Sequence, residues 1–246
     1  MLNKIDTKAN DSLDKDKLKK ELKELNTQLI EFQKKMNAQG KHSLLIIFQG
    51  MDASGKDGAT RRVLEGVNPS GIKVKSFKKP TDEEFAHDFL WRVHQHAPAK
   101  GMIQVFNRSH YEDILVPSVL GYIPKETIDE RYKMINDFER FLEHNGTKVL
   151  KFFLHVSKEE QLERLEERIS NPEKHYKHKD GDWETREHWD SYMNVYQSIF
   201  EKCNDIPWHI IPSDQNWYKA NLITKKIIEA FESMNLEWPA LESEKF

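Results

Sequence analysis

Two glycines five residues apart, Gly50 and Gly55, with Lys56 directly after them, form a spacing that can wrap backbone N–H groups round phosphate oxygens. The loop residues Met51, Asp52, Ala53 and Ser54 lie between the glycines, and Asp57, Gly58 and Arg62 follow on a stretch that can start a helix. A helix N-terminus there adds partial positive charge. Lys56 supplies a full charge where phosphoryl transfer builds up negative charge. One position is unusual. Asp57 stands where the common phosphate-loop motif has a Ser or Thr hydroxyl for magnesium. Asp52, inside the loop, can take over a metal role directly or through water. This points away from ordinary GTPases and motor ATPases.

Three further clusters suit the same chemistry. Asn107-Arg108-Ser109-His110-Tyr111-Glu112-Asp113 combines carboxylates, which can partner magnesium, with a guanidinium fork matched to phosphate oxygens. Lys73, Lys75, Lys78 and Lys79 gather positive charge, and Lys78 and Lys79 follow an alternating segment. Arg164, Arg168, Lys174, His175, Lys177, His178 and Lys179 form a third basic group, placed after Asn171-Pro172 breaks a helical pattern. A basic connection of that kind fits a lid, about 168–185, that closes over phosphates and excludes water.

These residues need elements to hold them. Strands are expected at 43–49, 72–77, 102–107, 148–155 and 208–212. Helices are expected at 56–66, 82–96, 125–144, 158–169, 184–203 and 216–233. Thr81-Asp82-Glu83-Glu84 and Ser157-Lys158-Glu159-Glu160 read as capping boxes, and Pro124 suits a first helical turn. Alternation of this kind predicts an α/β, doubly wound, five-stranded parallel sheet. Its ligands bind at the carboxyl ends of the strands, which is where the loop and the clusters after strands two and three would meet. Leu18, Leu22, Leu25, Leu29 and Phe32 mark an amphipathic helix from about Asp14 to Met36, suited to packing on the domain or at a subunit interface. Residues 1–12 are expected to be disordered. The expected division is 1–40 for tail and helix, 41–235 for the phosphate-loop domain and 236–246 for a C-terminal tail.

Composition limits the function classes. A formal net charge of −3 provides no bulk field for nucleic acid. The single cysteine, Cys203, cannot form an intrachain disulfide, and neither a signal segment nor an 18-residue apolar run is present. A soluble, cytoplasmic protein without membrane or nucleic-acid partners is the expectation.

GMDASGKDG, SFKKPT, FNRSHYEDILV, RISNPEKHYKHKDGDW and HWDSYMNVY, in that order over about residues 40–230, resemble the polyphosphate kinase type 2 family. The resemblance implies a fold like thymidylate kinase, dependence on magnesium, and phosphoryl transfer between inorganic polyphosphate and a nucleotide. It implies catalytic roles for Asp52, Lys56, Arg108, Asp113 and Arg168, with Asp52 and Asp113 linked to magnesium, and makes Lys78 a phosphate-channel lysine. Lys79 and Lys177 extend that basic path. Many members have Asp where this chain has Asn107. Asn107, with His110 and the Glu112-Asp113 pair, resembles the class III subgroup, which phosphorylates nucleoside monophosphates as well as diphosphates. A homo-oligomer, dimer or tetramer, is also implied. The alternative enzyme, an ATP-dependent nucleoside monophosphate kinase, shares loop, sheet and lid. It needs no long basic groove, and the Lys73–Lys79 and Lys174–Lys179 clusters supply one. A binding module without turnover would not need carboxylates beside the phosphates.

Overall fold

The computed structural model describes residues 2–243. Its centre is a five-stranded, wholly parallel sheet of β1 (Ser43–Gln49), β2 (Ile72–Ser76), β3 (Ile103–Asn107), β4 (Thr147–His155) and β5 (Trp208–Pro212), in the order β2-β3-β1-β4-β5. β1 is buried along its whole length, as a central parallel strand covered on both faces must be. Its side chains alternate between two layers. Leu44, Ile46 and Phe48 pack with Leu29, Met36, Val63 and Ile227; Leu45 and Ile47 pack with Phe106, Phe138 and Leu142.

The first layer contains α1 (Lys15–Gln39), α2 (Lys56–Val63) and α10 (Asn216–Ser233). The second contains α5 (Glu112–Leu120), α6 (Lys125–His144) and α9 (Trp189–Lys202). Short helices α3 (Asp82–Ala86) and α4 (Trp91–His94) follow β2, while α7 (Lys158–Ser170) and α8 (Gly181–Glu187) follow β4. The expected doubly wound sheet is present.

The apolar stripe of α1 is used within the chain: Leu29 and Met36 are buried in the core, and Phe32 stacks on Phe231 of α10 at 5.6 Å. Asp14 caps the helix through the N–H groups of Asp16 and Lys17, and Gly40 ends it at φ +62°.

Four expectations are corrected. The N-terminal segment, expected to be disordered, is tied to the domain at Leu2, Thr7 and Ala9. Leu2 lies in the cluster with Met51 and Tyr111, Thr7 Oγ1 donates to Asp214 at 2.9 Å, and Ala9 N donates to Gln215 at 2.8 Å. The 82–96 helix is two helices, because the Asp88 carboxylate accepts from the N–H groups of Leu90 and Trp91 and starts a new turn. The 184–203 helix is interrupted at His188 and divided between α8 and α9. At Ser157 the hydroxyl accepts from Glu160 N, but the Glu160 carboxylate pairs with Arg164 at 2.8 Å instead of closing a capping box. Thr81 and Glu84 do form the full box.

Candidate active site

The phosphate-loop residues leave β1 beside the end of β3, because the strand register sets Phe48 opposite Asn107. Arg108 N donates to Phe48 O at 3.0 Å, so the turn after β3 is tied to the last residues of β1. Arg108 itself sits at φ +60°, in the left-handed region that a non-glycine residue seldom occupies. That turn aims its guanidinium at the loop, where it forms an ion pair with the Asp52 carboxylate. Asn107 donates to Asp57, linking β3 to the first turn of α2.

Within the loop, Gly50 and Gly55 take positive φ, as does Ala53 at φ +60°. Gly55 caps α2 from the left-handed region. The Lys56 ammonium is buried and donates to Gly50 O at 2.8 Å and Met51 O at 3.0 Å. Burial pushes its pKa down to about 8, although Asp52 opposes the shift. For Asp52, burial works against ionisation, but Arg108 and Lys56, with Arg168, outweigh it and hold the pKa below the usual carboxylate range. Arg108 is raised above its ordinary value, chiefly by Glu112. Glu112 is raised by burial, against the pull of Arg108 and Lys56. Asp52, Lys56, Arg108 and Glu112 therefore share one electrostatic site.

Asp113 has another partner. Its Oδ2 accepts from Arg92 Nη2 at 2.9 Å, and burial raises its pKa against that arginine. Its carbonyl accepts from Arg131 Nη1 at 2.5 Å. Pro117 explains the second contact. It lies four residues on in α5, lacks an N–H, and so leaves the Asp113 carbonyl open to Arg131. In the structure the Asp113 carboxylate, expected beside Asp52, is paired with Arg92, and the carboxylate that shares the field of Asp52, Lys56 and Arg108 is Glu112.

Arg168 on α7 pairs with Asp182 on α8 at 2.5 Å and donates to Lys177 O at 3.2 Å. Its charge reaches Asp52, and Asp182 is raised by burial first and by Asp52 second. Lys177 is exposed, with its ammonium 5.3 Å from the Tyr176 ring centre. Lys78 and Lys79 are exposed, and the Lys78 carbonyl accepts from Arg92 at 2.9 Å. Gly58 O accepts from Arg62 Nη1 at 3.4 Å. Met51 and Ser54 are buried.

Several groups escaped sequence reading. Gln161 Nε2 donates to Asp52 O at 3.0 Å, and Arg186 holds the Gln161 amide oxygen at 2.8 Å. Arg164 donates to Ala53 O at 2.9 Å, and Lys219 to Ser54 O at 3.1 Å. Arg164 belongs to the recognised basic cluster, but no spacing signal ties Gln161, Lys219 or Asp182 to the loop. Beneath the site, Lys151 donates to Tyr111 Oη at 2.9 Å, Glu139 at 2.7 Å and Cys203 O at 3.0 Å. Glu139 also holds His110 at 3.2 Å and Tyr111 at 2.8 Å. This buried network fixes residues 110 and 111, and with them the segment between Arg108 and Glu112.

A parallel sheet in this order, with a phosphate loop after its central strand and cations and carboxylates converging on that loop, defines a phosphate-loop kinase. The family model described as Polyphosphate kinase 2 matches residues 12–239. The chain is 46% identical over 221 residues to an AMP/ADP-polyphosphate phosphotransferase of Meiothermus ruber, covering 89% of this chain and 83% of that one. It is 40% identical over 225 residues to an ADP-polyphosphate phosphotransferase of Rhodopseudomonas palustris, covering 86% and 78% respectively. The crystal structure of polyphosphate kinase 2 from Arthrobacter aurescens TC1 superposes with a TM-score of 0.95 at 38% identity, over 99% of this chain and 89% of that one. The chain belongs to the polyphosphate kinase 2 family.

Proposed function

We propose that this enzyme is a magnesium-dependent phosphotransferase that moves the terminal phosphoryl group of inorganic polyphosphate to ADP and to AMP, reversibly. The carrying observation is the ion pair between Asp52 and Arg108, which joins the phosphate loop to the β3 exit with Lys56 and Glu112 in the same field. Family membership supports polyphosphate as donor. The Meiothermus relative's name covers both acceptors, and Asn107 supports the class III reading.

Phosphoryl transfer asks the protein for position and charge more than for covalent chemistry. Lys56 and Arg108 stabilise negative charge on the transferred group, and Arg168 adds charge from the lid side. The loop N–H groups of 51–58 cradle phosphates, while Arg62, Lys78, Lys79 and Lys177 extend a basic path for the rest of the chain. Direct in-line transfer needs no phosphorylated enzyme.

The donor set fits magnesium. Among the described residues no three His, Cys, Asp or Glu side chains gather round one point. Magnesium in kinases takes one or two carboxylates together with phosphate oxygens. Asp52, held ionised, and Glu112 are the two that would hold it, in place of the expected Asp52 and Asp113. Held by these two carboxylates, magnesium would supply Lewis-acid charge neutralisation to the phosphate groups. A cytoplasmic homo-oligomer, dimer or tetramer, with no nucleic-acid or membrane partner, completes the reading; light scattering checks the assembly.

The test is ATP formation from ADP, and ADP formation from AMP, with magnesium and long-chain polyphosphate as sole donor. Both reactions are expected. If neither occurs while ATP readily phosphorylates a nucleoside monophosphate, the donor assignment is wrong. If only ADP reacts, the inference from Asn107 fails alone.

A further inference from the structure

Among the described residues two lysines have no accessible surface, Lys151 and Lys219. Their surroundings are opposite. Lys151 fills all three of its N–H donors, one of them on the Glu139 carboxylate. Lys219, on α10, is given one acceptor by the described residues, the carbonyl of Ser54 at 3.1 Å. No carboxylate among them lies within ion-pair distance of it. The nearby Glu160 is bonded to Arg164 at 2.8 Å. Arg164, Arg62 and Lys56 all repel its charge, and these with Glu160 are the charged groups facing it from α2 and α7.

The ammonium also touches the loop closely. A Cβ on Gly55 would collide with Lys219 Nζ and lie 3.5 Å from Arg164 Nη1. Burying a cation without a counter-ion is costly, and a fold gains nothing in stability from it. A hydrocarbon side chain would fill the same space more favourably. Burial and the neighbouring arginines push the Lys219 pKa down to about 7, which expresses the same cost. Costs of this kind concentrate where function needs them.

We propose that Lys219 is a positioning residue of the phosphate loop, which holds the Ser54–Gly55 turn through the Ser54 carbonyl and contributes a buried charge that only a bound phosphate chain balances. The inference rests on the phosphate-chain reading of the loop given above, and it applies to polyphosphate or any other phosphate chain seated there.

The experiment compares full-length wild type with Lys219→Met and Lys219→Arg. Three quantities are read: the melting temperature alone, the rise in melting temperature caused by tripolyphosphate with magnesium, and kcat and KM for polyphosphate and ADP. Lys219→Met should melt at or above wild type, because an uncompensated buried charge is gone. Its tripolyphosphate shift should shrink, and its KM for polyphosphate should rise about tenfold, as for a lost charge-assisted contact. Its KM for ADP should move much less. Lys219→Arg should restore most of the loss. A Lys219→Met protein that melts well below wild type but keeps its polyphosphate KM makes Lys219 a packing residue and overturns the proposal. So does one unchanged in every readout. If Lys219→Met cannot be obtained folded, Lys219→Gln is read by the same criteria. A wild type that makes no ATP from polyphosphate defeats the donor assignment, whereas the tripolyphosphate shift still decides the role of Lys219.

Discussion

Lys56 combines the burial and the position of a group that acts on the transferred phosphoryl. Lys56→Ala removes that charge, and turnover should fall roughly 10²–10³-fold with little change in melting temperature. Near wild-type turnover would remove the loop from the mechanism. The carboxylates divide more finely. Asp52→Asn and Glu112→Gln should raise the magnesium concentration needed for half-maximal rate. Asp113→Asn should leave it in place, since Asp113 is spent on Arg92 and not on the shared site. Equal magnesium dependence in all three variants would contradict that division. The buried lysines also set opposite trends with pH. Lys56 has its pKa lowered to about 8 and Lys219 to about 7, both from 10.5, so the folded chain binds fewer protons than the unfolded chain between about 7 and 10.5. These two groups therefore make stability rise with pH over that window. Meanwhile kcat/KM for polyphosphate, which reports the free enzyme, should fall from about pH 7 to about pH 8 as first Lys219 and then Lys56 lose their charge. A flat profile to pH 9.5 would show that the ammonium of Lys56 is not required.

The elements were legible where apolar pattern and length agree. All five strands lie within a residue or so of their expected bounds, because each is a short β-branched or aromatic run leading to turn residues. α10 begins and ends at the expected residues. What escaped is set by long-range partners. α5 is not among the expected helices; Pro117 lies inside it, and the carbonyl that this proline leaves open is taken by Arg131, which reaches over from α6. The partner of Asp113 is hidden for the same reason: nothing local reveals that Arg92, 21 residues earlier, pairs with its carboxylate. Lys151 is a lone lysine in Val149-Leu150-Lys151-Phe152-Phe153, and nothing local to that strand indicates its partner Glu139 on α6. That pair provides the test at this scale. Lys151→Met leaves a buried carboxylate unpaired and should cost about 3–5 kcal/mol in urea unfolding. Adding Glu139→Gln should recover part of the loss, because the second change removes the stranded charge. Strictly additive losses would mean that the two side chains do not act as a pair.

At the scale of the whole molecule, charge is distributed for one long anion and not for a polyanion in general. The chain carries a formal −3, so binding cannot come from overall attraction. It must come from local basic groups: Lys78 and Lys79 after β2, Lys177 between α7 and α8, the buried Lys56, and the partly buried Arg108 and Arg168. The outer three are exposed, so salt screens them strongly; Lys56 is shielded, and the two partly buried arginines are screened less than the exposed lysines. A phosphate chain lying across both would release counterions at each exposed contact. ADP is too short to use all of them. The expected result is that KM for long-chain polyphosphate climbs steeply between low and physiological salt while KM for ADP changes little. Lys78→Ala, Lys79→Ala and Lys177→Ala should each raise the polyphosphate KM and flatten its salt dependence. Arg168→Ala should also lower kcat, because a cation coupled to Asp52 acts on the transition state as well as on binding. Steady-state rates at graded salt, with each substrate varied in turn, decide the matter. Parallel salt curves for polyphosphate and ADP, unaltered by the three lysine changes, would mean that the donor does not run along the exposed basic path.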